Sequence, residues 1–136
     1  VDGRIDRNAM GFEPGHQLVD YPKNNDLEFY ISGRSLTRRF GQIPTGIKDQ
    51  KIWNEVTRRL AFGLHNTIVH WSPDVVVLGG SIAIKSPGFL FKHTKKHLKK
   101  TLKIFPKAPE IKKAALGDVG GLYGALAYIK MISNHS

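Results

Sequence analysis

The sequence predicts an α/β domain, and three observations carry that reading. Apolar residues recur every four positions at Ile52, Val56, Leu60, Leu64 and Ile68, the period of a helix with one buried face. The chain then runs Val75-Val76-Val77-Leu78 without a polar residue, which reads as a strand buried on both faces between helices. Beyond it the patterns keep alternating, so the second half reads helix–strand–helix–strand–helix. A length of 136 residues suits a single domain over 1–136, and an apolar share of 40% is enough for a core.

Residues 1–33 are punctuated by Gly3, Gly11, Gly15 and Gly33 and read as loops and short strands. A helix is expected from Leu27 to Ile31, with Asn25 or Asp26 as its N-cap, and a second short helical piece over 35–40. Residues 41–46, with Pro44, form a loop. Asp49 caps the long periodic helix, and Ser72-Pro73-Asp74 ends it. Gly79-Gly80 turns the chain after the apolar strand, and Pro87-Gly88 precedes a Lys-rich helix that ends near Phe105-Pro106. Residues 111–116 read as a second strand and 117–121 as a glycine-rich turn. Residues 122–132 close the chain as a helix, with Gly124, Ala125 and Ala127 forming a thin face for close packing.

Composition narrows the function classes. The absence of cysteine excludes a disulfide scaffold, a Cys-based zinc site and a cysteine nucleophile. No apolar run approaches the ~20 residues of a membrane helix, and the start Val1-Asp2-Gly3-Arg4 has no apolar stretch of a secretory signal. That start reads like the middle of a chain, so a fragment is expected. The net charge of +10 invites a nucleic-acid reading. Six of the lysines, Lys92, Lys95, Lys96, Lys99, Lys100 and Lys103, interleave with Phe91, Leu98, Leu102 and Phe105 at helical spacing. A solvated basic face over a buried stripe explains that pattern, and nucleic acid is not the expected partner.

Three constellations could carry chemistry. Gly11-Phe12-Glu13-Pro14-Gly15-His16 places a carboxylate and an imidazole three positions apart in a glycine-flanked loop. Such a pair can accept from and donate to vicinal hydroxyls, as a sugar would require, although an ordinary surface loop has the same look. Gly79-Gly80-Ser81 follows the apolar strand, where glycines let a ligand approach the backbone; the bland alternative is a tight strand-to-helix turn. Gly117-Asp118-Val119-Gly120-Gly121 precedes the last helix, with Asp118 as a cap or a ligand-facing group.

Taken in order, these segments resemble the carboxyl-terminal half of the ROK (repressor, open reading frame, kinase) family. Residues Asp2-Gly3-Arg4 through Gly11-Phe12-Glu13-Pro14-Gly15-His16 are similar to its "DGK…G…GExGH" stretch. Leu27-Glu28 with Ser32-Gly33 is similar to "LE…SG", and Pro73-Asp74-Val75-Val76-Val77-Leu78-Gly79-Gly80-Ser81 to "PDxVVLGGS". Gly117-Asp118-Val119-Gly120-Gly121-Leu122-Tyr123-Gly124-Ala125 is similar to "GDxAGxxGAA". The resemblance implies the carboxyl-terminal lobe of an actin-like ATPase (ribonuclease H-like) fold, with a mixed sheet flanked by helices. It implies sugar contacts for Glu13, His16 and Glu28, and a nucleotide-facing turn at Gly79, Gly80 and Ser81.

The same resemblance implies phosphorylation of a hexose or related sugar by ATP with Mg2+, glucokinase-like, in the cytoplasm. The general-base aspartate and half of the phosphate clamp are expected in an amino-terminal lobe that this chain lacks, so no catalytic residue is assigned here and the chain alone is expected to be inactive. Many family members carry a Cys-rich zinc loop between the GH and LE pairs. Residues 17–26 have no cysteine and are fewer, so no zinc and no other metal site is expected. Pro14 stands where a small or aliphatic residue is usual, which stiffens the loop. The alternative reading is the sugar-sensing part of a ROK-type repressor. Expected partners are the sugar, ATP and the missing lobe, and a homodimer is compatible with the reading.

Overall fold

In the computed structural model the described residues are 12–85 and 89–133. Residues 2–11 of the first motif, Pro87-Gly88 and the Asp118 side chain lie outside them. The order is β1 (Leu18–Asp20), β2 (Asn25–Asp26), α1 (Leu27–Ile31), α2 (Gly33–Phe40), α3 (Gln50–Trp71), β3 (Val75–Leu78), α4 (Gly80–Lys85), α5 (Phe89–Thr101), β4 (Glu110–Lys113) and α6 (Gly120–Ser133). Short 3-10 turns stand at Pro14–His16, Tyr21–Lys23, Pro44–Gly46 and Gly117–Val119.

Helix α3 is the spine. The Asp49 carboxylate accepts from the Lys51 N–H at 2.8 Å, which satisfies one of the orphan donors of the first turn. The helix stops where Ser72 takes a left-handed φ of 45° before Pro73. Its buried face is Trp53, Val56, Leu60, Ala61, Leu64 and Ile68. Trp53 rather than Ile52 heads the stripe, because its ring packs with Leu36, Ile47 and Leu90 while its Nε1–H donates to the Ile47 carbonyl at 2.8 Å. The lower half of α3 packs with Leu98 and Leu102 from α5 and just beyond, and with Ile111 of β4. Full burial of each such aliphatic side chain stabilises by about 1.5–3 kcal/mol.

Helix α5 buries Leu90, Thr94 and Leu98 against α3, and its six lysines at 92, 95, 96, 99, 100 and 103 all face solvent or lie exposed just beyond it. The basic stretch is a solvated face over a buried stripe. The helix ends at Thr101, earlier than Phe105-Pro106; Leu102, whose N–H still donates to the Leu98 carbonyl at 2.8 Å, is buried in the core just beyond it.

The strands form two separate pairs. β1 and β2 are antiparallel with an irregular register, and β3 and β4 are parallel, with Val75 opposite Glu110 and Leu78 opposite Lys113. β4 is shorter than residues 111–116. The expectation that β3 is buried on both faces is corrected. Val76 and Leu78 are half-buried against the α3–α5 core, whereas Val75 is 43% and Val77 60% exposed. An apolar run states that both faces tolerate burial; neighbours decide which face is covered, and among the described residues only one is. The thin face of α6 is likewise not packed among the described residues: no residue of the helix is buried, and a Cβ at Gly121 or Gly124 would meet none of the described residues within 4 Å.

Candidate functional site

The site grows from the joint between β2 and α1. Asp26 caps α1, accepting from the Phe29 N–H at 2.8 Å, and one turn later Ser32 caps α2 by accepting from the Ser35 N–H at 3.2 Å. The kink between the two helices leaves the Phe29 carbonyl for Ser35 Oγ, which donates at 2.5 Å, and for Arg39, which donates at 3.2 Å. Arg39 also pairs with Glu55 of α3 at 3.0 Å and lies over the Phe29, Tyr30 and Phe40 rings, so the kinked pair is tied to the spine. Helix α1 sits close to α3 because position 63 is glycine; a Cβ there would collide with the Leu27 side chain.

The loop carrying β1 and β2 is braced by a buried polar network. Asp20 Oδ2 accepts from the Tyr30 hydroxyl at 2.5 Å and from Arg59 Nη2 at 2.7 Å, while Arg59 Nη1 donates to the Val19 carbonyl at 2.6 Å. Asn25 donates to the Tyr30 oxygen at 3.3 Å. The Tyr30 hydroxyl first, then the charge of Arg59, holds the Asp20 carboxyl below its ordinary range.

Against this frame the Pro14–His16 turn brings His16 beside the α1 entrance. The His16 Nδ1–H donates to Asp26 Oδ2 at 3.0 Å, and Nε2 lies 3.5 Å from Glu28 Oε2. The hydrogen bond to Asp26, then the charges of Glu28, Asp26 and Glu13, raise the imidazole pKa against an opposing desolvation. The same bond, with the Phe29 N–H, lowers Asp26. Thus two of the three residues expected to face a sugar, His16 and Glu28, meet. Glu13 is exposed at the start of the turn and lines neither cavity described below; it acts on His16 through its charge.

Two cavities open around Glu28. One of about 450 Å³ includes His16, Asp26, Glu28, Arg34 and Arg38 in its walls. The other, about 320 Å³, has Gly15, Glu28, Leu78, Gly79, Gly80 and Ser81 among its lining residues. Gly80 turns out of β3 with φ 85°, a left-handed conformation that strains any side chain, and among the described residues nothing lies within 4 Å of its Cβ position. A Cβ built on Gly33, the first residue of α2, would lie 3.6 Å from Ser81 Oγ and from the Ile82 side chain, so the α1–α2 kink and the β3–α4 turn are neighbours.

Asp26, Asp20, Tyr30 and Arg59 belong to the site's support and were not singled out for it from the sequence. The sequence offers Asp26 as a candidate cap of α1 and shows nothing of its pairing with His16. The Asp20–Arg59 pair joins residues 39 apart and has no local signature.

Comparison with known proteins follows the same geometry. A stretch of 67 residues, 49% of this chain and 21% of the relative, is 42% identical to an N-acetyl-D-glucosamine kinase of Mannheimia succiniciproducens. The fold superposes on the ROK hexokinase of Thermus thermophilus with a TM-score of 0.77 at 26% identity, covering 96% of this chain and 52% of that one. It superposes equally, at 0.77 and 22% identity, on a ROK family protein from Streptococcus pneumoniae solved with sucrose, covering 98% of this chain and 54% of the other. The chain therefore spans about half of the solved proteins it matches, and its fold is that of one lobe of an actin-like ATPase. The profile of the ROK family matches residues 14–132, and the chain belongs to that family.

Proposed function

We propose that this chain is the carboxyl-terminal lobe of an ATP-dependent sugar kinase, supplying part of the sugar site and the turn that faces the nucleotide. The observation that carries the reading is the shared cavity between Glu28 and Gly79-Gly80-Ser81. Phosphoryl transfer requires the acceptor hydroxyl and the terminal phosphate in one water-poor space, held in line. A carboxylate suited to sugar hydroxyls and a glycine turn suited to a nucleotide both border that space. Glu28 and His16 would orient the sugar through its hydroxyls, and Gly80 would admit the nucleotide to the backbone. ATP arrives with Mg2+ as a co-substrate, and the proton on the acceptor hydroxyl goes to an aspartate of the other lobe.

The N-acetyl-D-glucosamine kinase and ROK hexokinase relatives support a hexose or N-acetylhexosamine as the acceptor. The test is an assay of the full-length protein with ATP, Mg2+ and a panel led by glucose and N-acetylglucosamine. Turnover of at least one sugar is expected. Sugar binding without ATP-dependent turnover identifies a sugar sensor instead.

A further inference from the structure

We propose that Asp26 is the positioning residue that fixes the tautomer of His16 and leaves its Nε2 as an acceptor for a ligand hydroxyl. The inference rests on the sugar reading above and extends it to a residue that acts through His16.

The geometry divides the Asp26 carboxylate between two tasks. Oδ1 accepts from the Phe29 N–H at 2.8 Å and so is anchored by α1; Oδ2 accepts from His16 Nδ1 at 3.0 Å. An ionised carboxylate can only accept, so the proton of the neutral ring sits on Nδ1 and the lone pair on Nε2. That lone pair faces Glu28 Oε2 at 3.5 Å, a second acceptor. Two acceptors at that spacing need donors between them. A second ring proton is one answer, favoured by Asp26, Glu28 and Glu13 around the ring; the cations Arg34 and Arg38 line the same cavity. Vicinal hydroxyls are the other answer: one donates to Nε2, its neighbour donates to Glu28, and any second ring proton leaves to solvent. Asp26 thereby makes an acceptor pair out of two residues that would otherwise satisfy each other.

Asp26→Asn separates positioning from folding, because asparagine caps a helix as well as aspartate does. With the Asn Oδ1 retained on the Phe29 N–H, its amide donates toward Nδ1. The neutral ring then carries its proton on Nε2, where it bonds to Glu28, and the acceptor pair is consumed. The tautomer is read by nitrogen-15 NMR of His16 at a pH where the ring is neutral, in ligand-free full-length protein. Sugar affinity is read by titration with the sugar found active in the panel, and thermal melting controls for folding. The expected result is an Nδ1–H ring in the wild type, an Nε2–H ring in Asp26→Asn, near-equal melting, and sugar affinity weakened by about ten-fold or more, the value of one lost hydrogen bond to a polar partner. Asp26→Ser, which keeps the cap with a shorter side chain, is expected to lose the Nδ1–H preference as well.

An unchanged Nδ1–H tautomer in Asp26→Asn overturns the proposal, and so does a switched tautomer with unchanged sugar affinity. His16→Ala tells the two layers apart. If it weakens sugar binding while Asp26→Asn leaves the tautomer untouched, His16 keeps its sugar role and Asp26 loses its own. If His16→Ala binds sugar as tightly as the wild type, the sugar reading of His16 fails and the proposal falls with it.

Discussion

Helices α3 and α6 are both rich in apolar residues, yet α3 buries a full stripe and α6 buries none. On α3 the apolar residues recur on one side, with Lys51, Arg58 and His70 exposed, and α5 covers that side together with Leu36, Ile47 and Ile111, while α1 packs close at Gly63. On α6 they run all round: Leu122 is 74% exposed, Leu126 49% and Ile129 55%, and Lys130 is the helix's one charged residue. A helix apolar on every side is built to be surrounded. The outer face of β3, with Val75 and Val77, has the same character. The difference between the helices teaches that this chain completes one core and offers the apolar material of a second. That agrees with a chain spanning about half of the solved proteins it matches.

The comparison can be broken most decisively by activity. The 136-residue chain by itself is expected to phosphorylate no sugar, since the second core and the general base would come from outside it. ATP-dependent turnover by this chain alone would sink the two-lobe reading. Stability sharpens it next. Leu60→Ala or Ile68→Ala should destabilise the chain by about 2–5 kcal/mol in urea unfolding. Leu126→Ala on α6 should stay within about 0.5 kcal/mol in the same chain, and rise toward the core value in the full-length protein. Equal costs in both would mean that α6 stays uncovered.

Within the site, Glu28→Ala in the full-length protein should weaken apparent sugar affinity by about ten- to hundred-fold, the loss of a hydrogen bond to a charged acceptor. Glu13→Ala should weaken it less, because Glu13 stands outside both cavities around Glu28. A larger loss at Glu13 would reverse their roles. Gly80→Ala should cost the chain about 1–2 kcal/mol in melting for its left-handed φ, while nucleotide affinity in the full-length protein falls further than melting explains. Unchanged ATP binding would reduce the turn to a turn.

The smallest effect is in pH, and it separates the same two regions. Asp20 and Asp26 are lowered on folding, so they add stability at neutral pH that is lost as pH falls through the ordinary carboxylate range and below it. His16 is raised, so its contribution has the opposite sign: it is present in mild acid and lost as pH rises through its elevated value. His97, lowered first by burial and then by Lys100 and other nearby cations, adds a further loss on the acid side. Acid should therefore loosen amide-exchange protection around β1, β2 and α1. Helix α6 carries no Asp, Glu or His and should not follow. Parallel loss in both regions would show that they unfold as one unit.

The sequence by itself determined the longer helices, the strand β3 and the family resemblance. A four-residue period, an Asp cap and a Ser-Pro stop are local features, and local backbone energetics places α3 where they say. Four motifs in order carried the ROK resemblance in the same way, since each is a short run of residues whose types are read without knowing their neighbours. What the tertiary structure decided were the relations across distance. It covered one face of β3 and left the other open, put Trp53 rather than Ile52 at the head of the buried stripe, and joined Asp20 to Arg59 across the loop. It also gave Asp26 a second partner in His16 and brought Glu28 and Gly80 to the lining of one cavity. Those outcomes depend on which surfaces meet, and a strand's apolar run or a carboxylate's charge states only what it would accept as a neighbour.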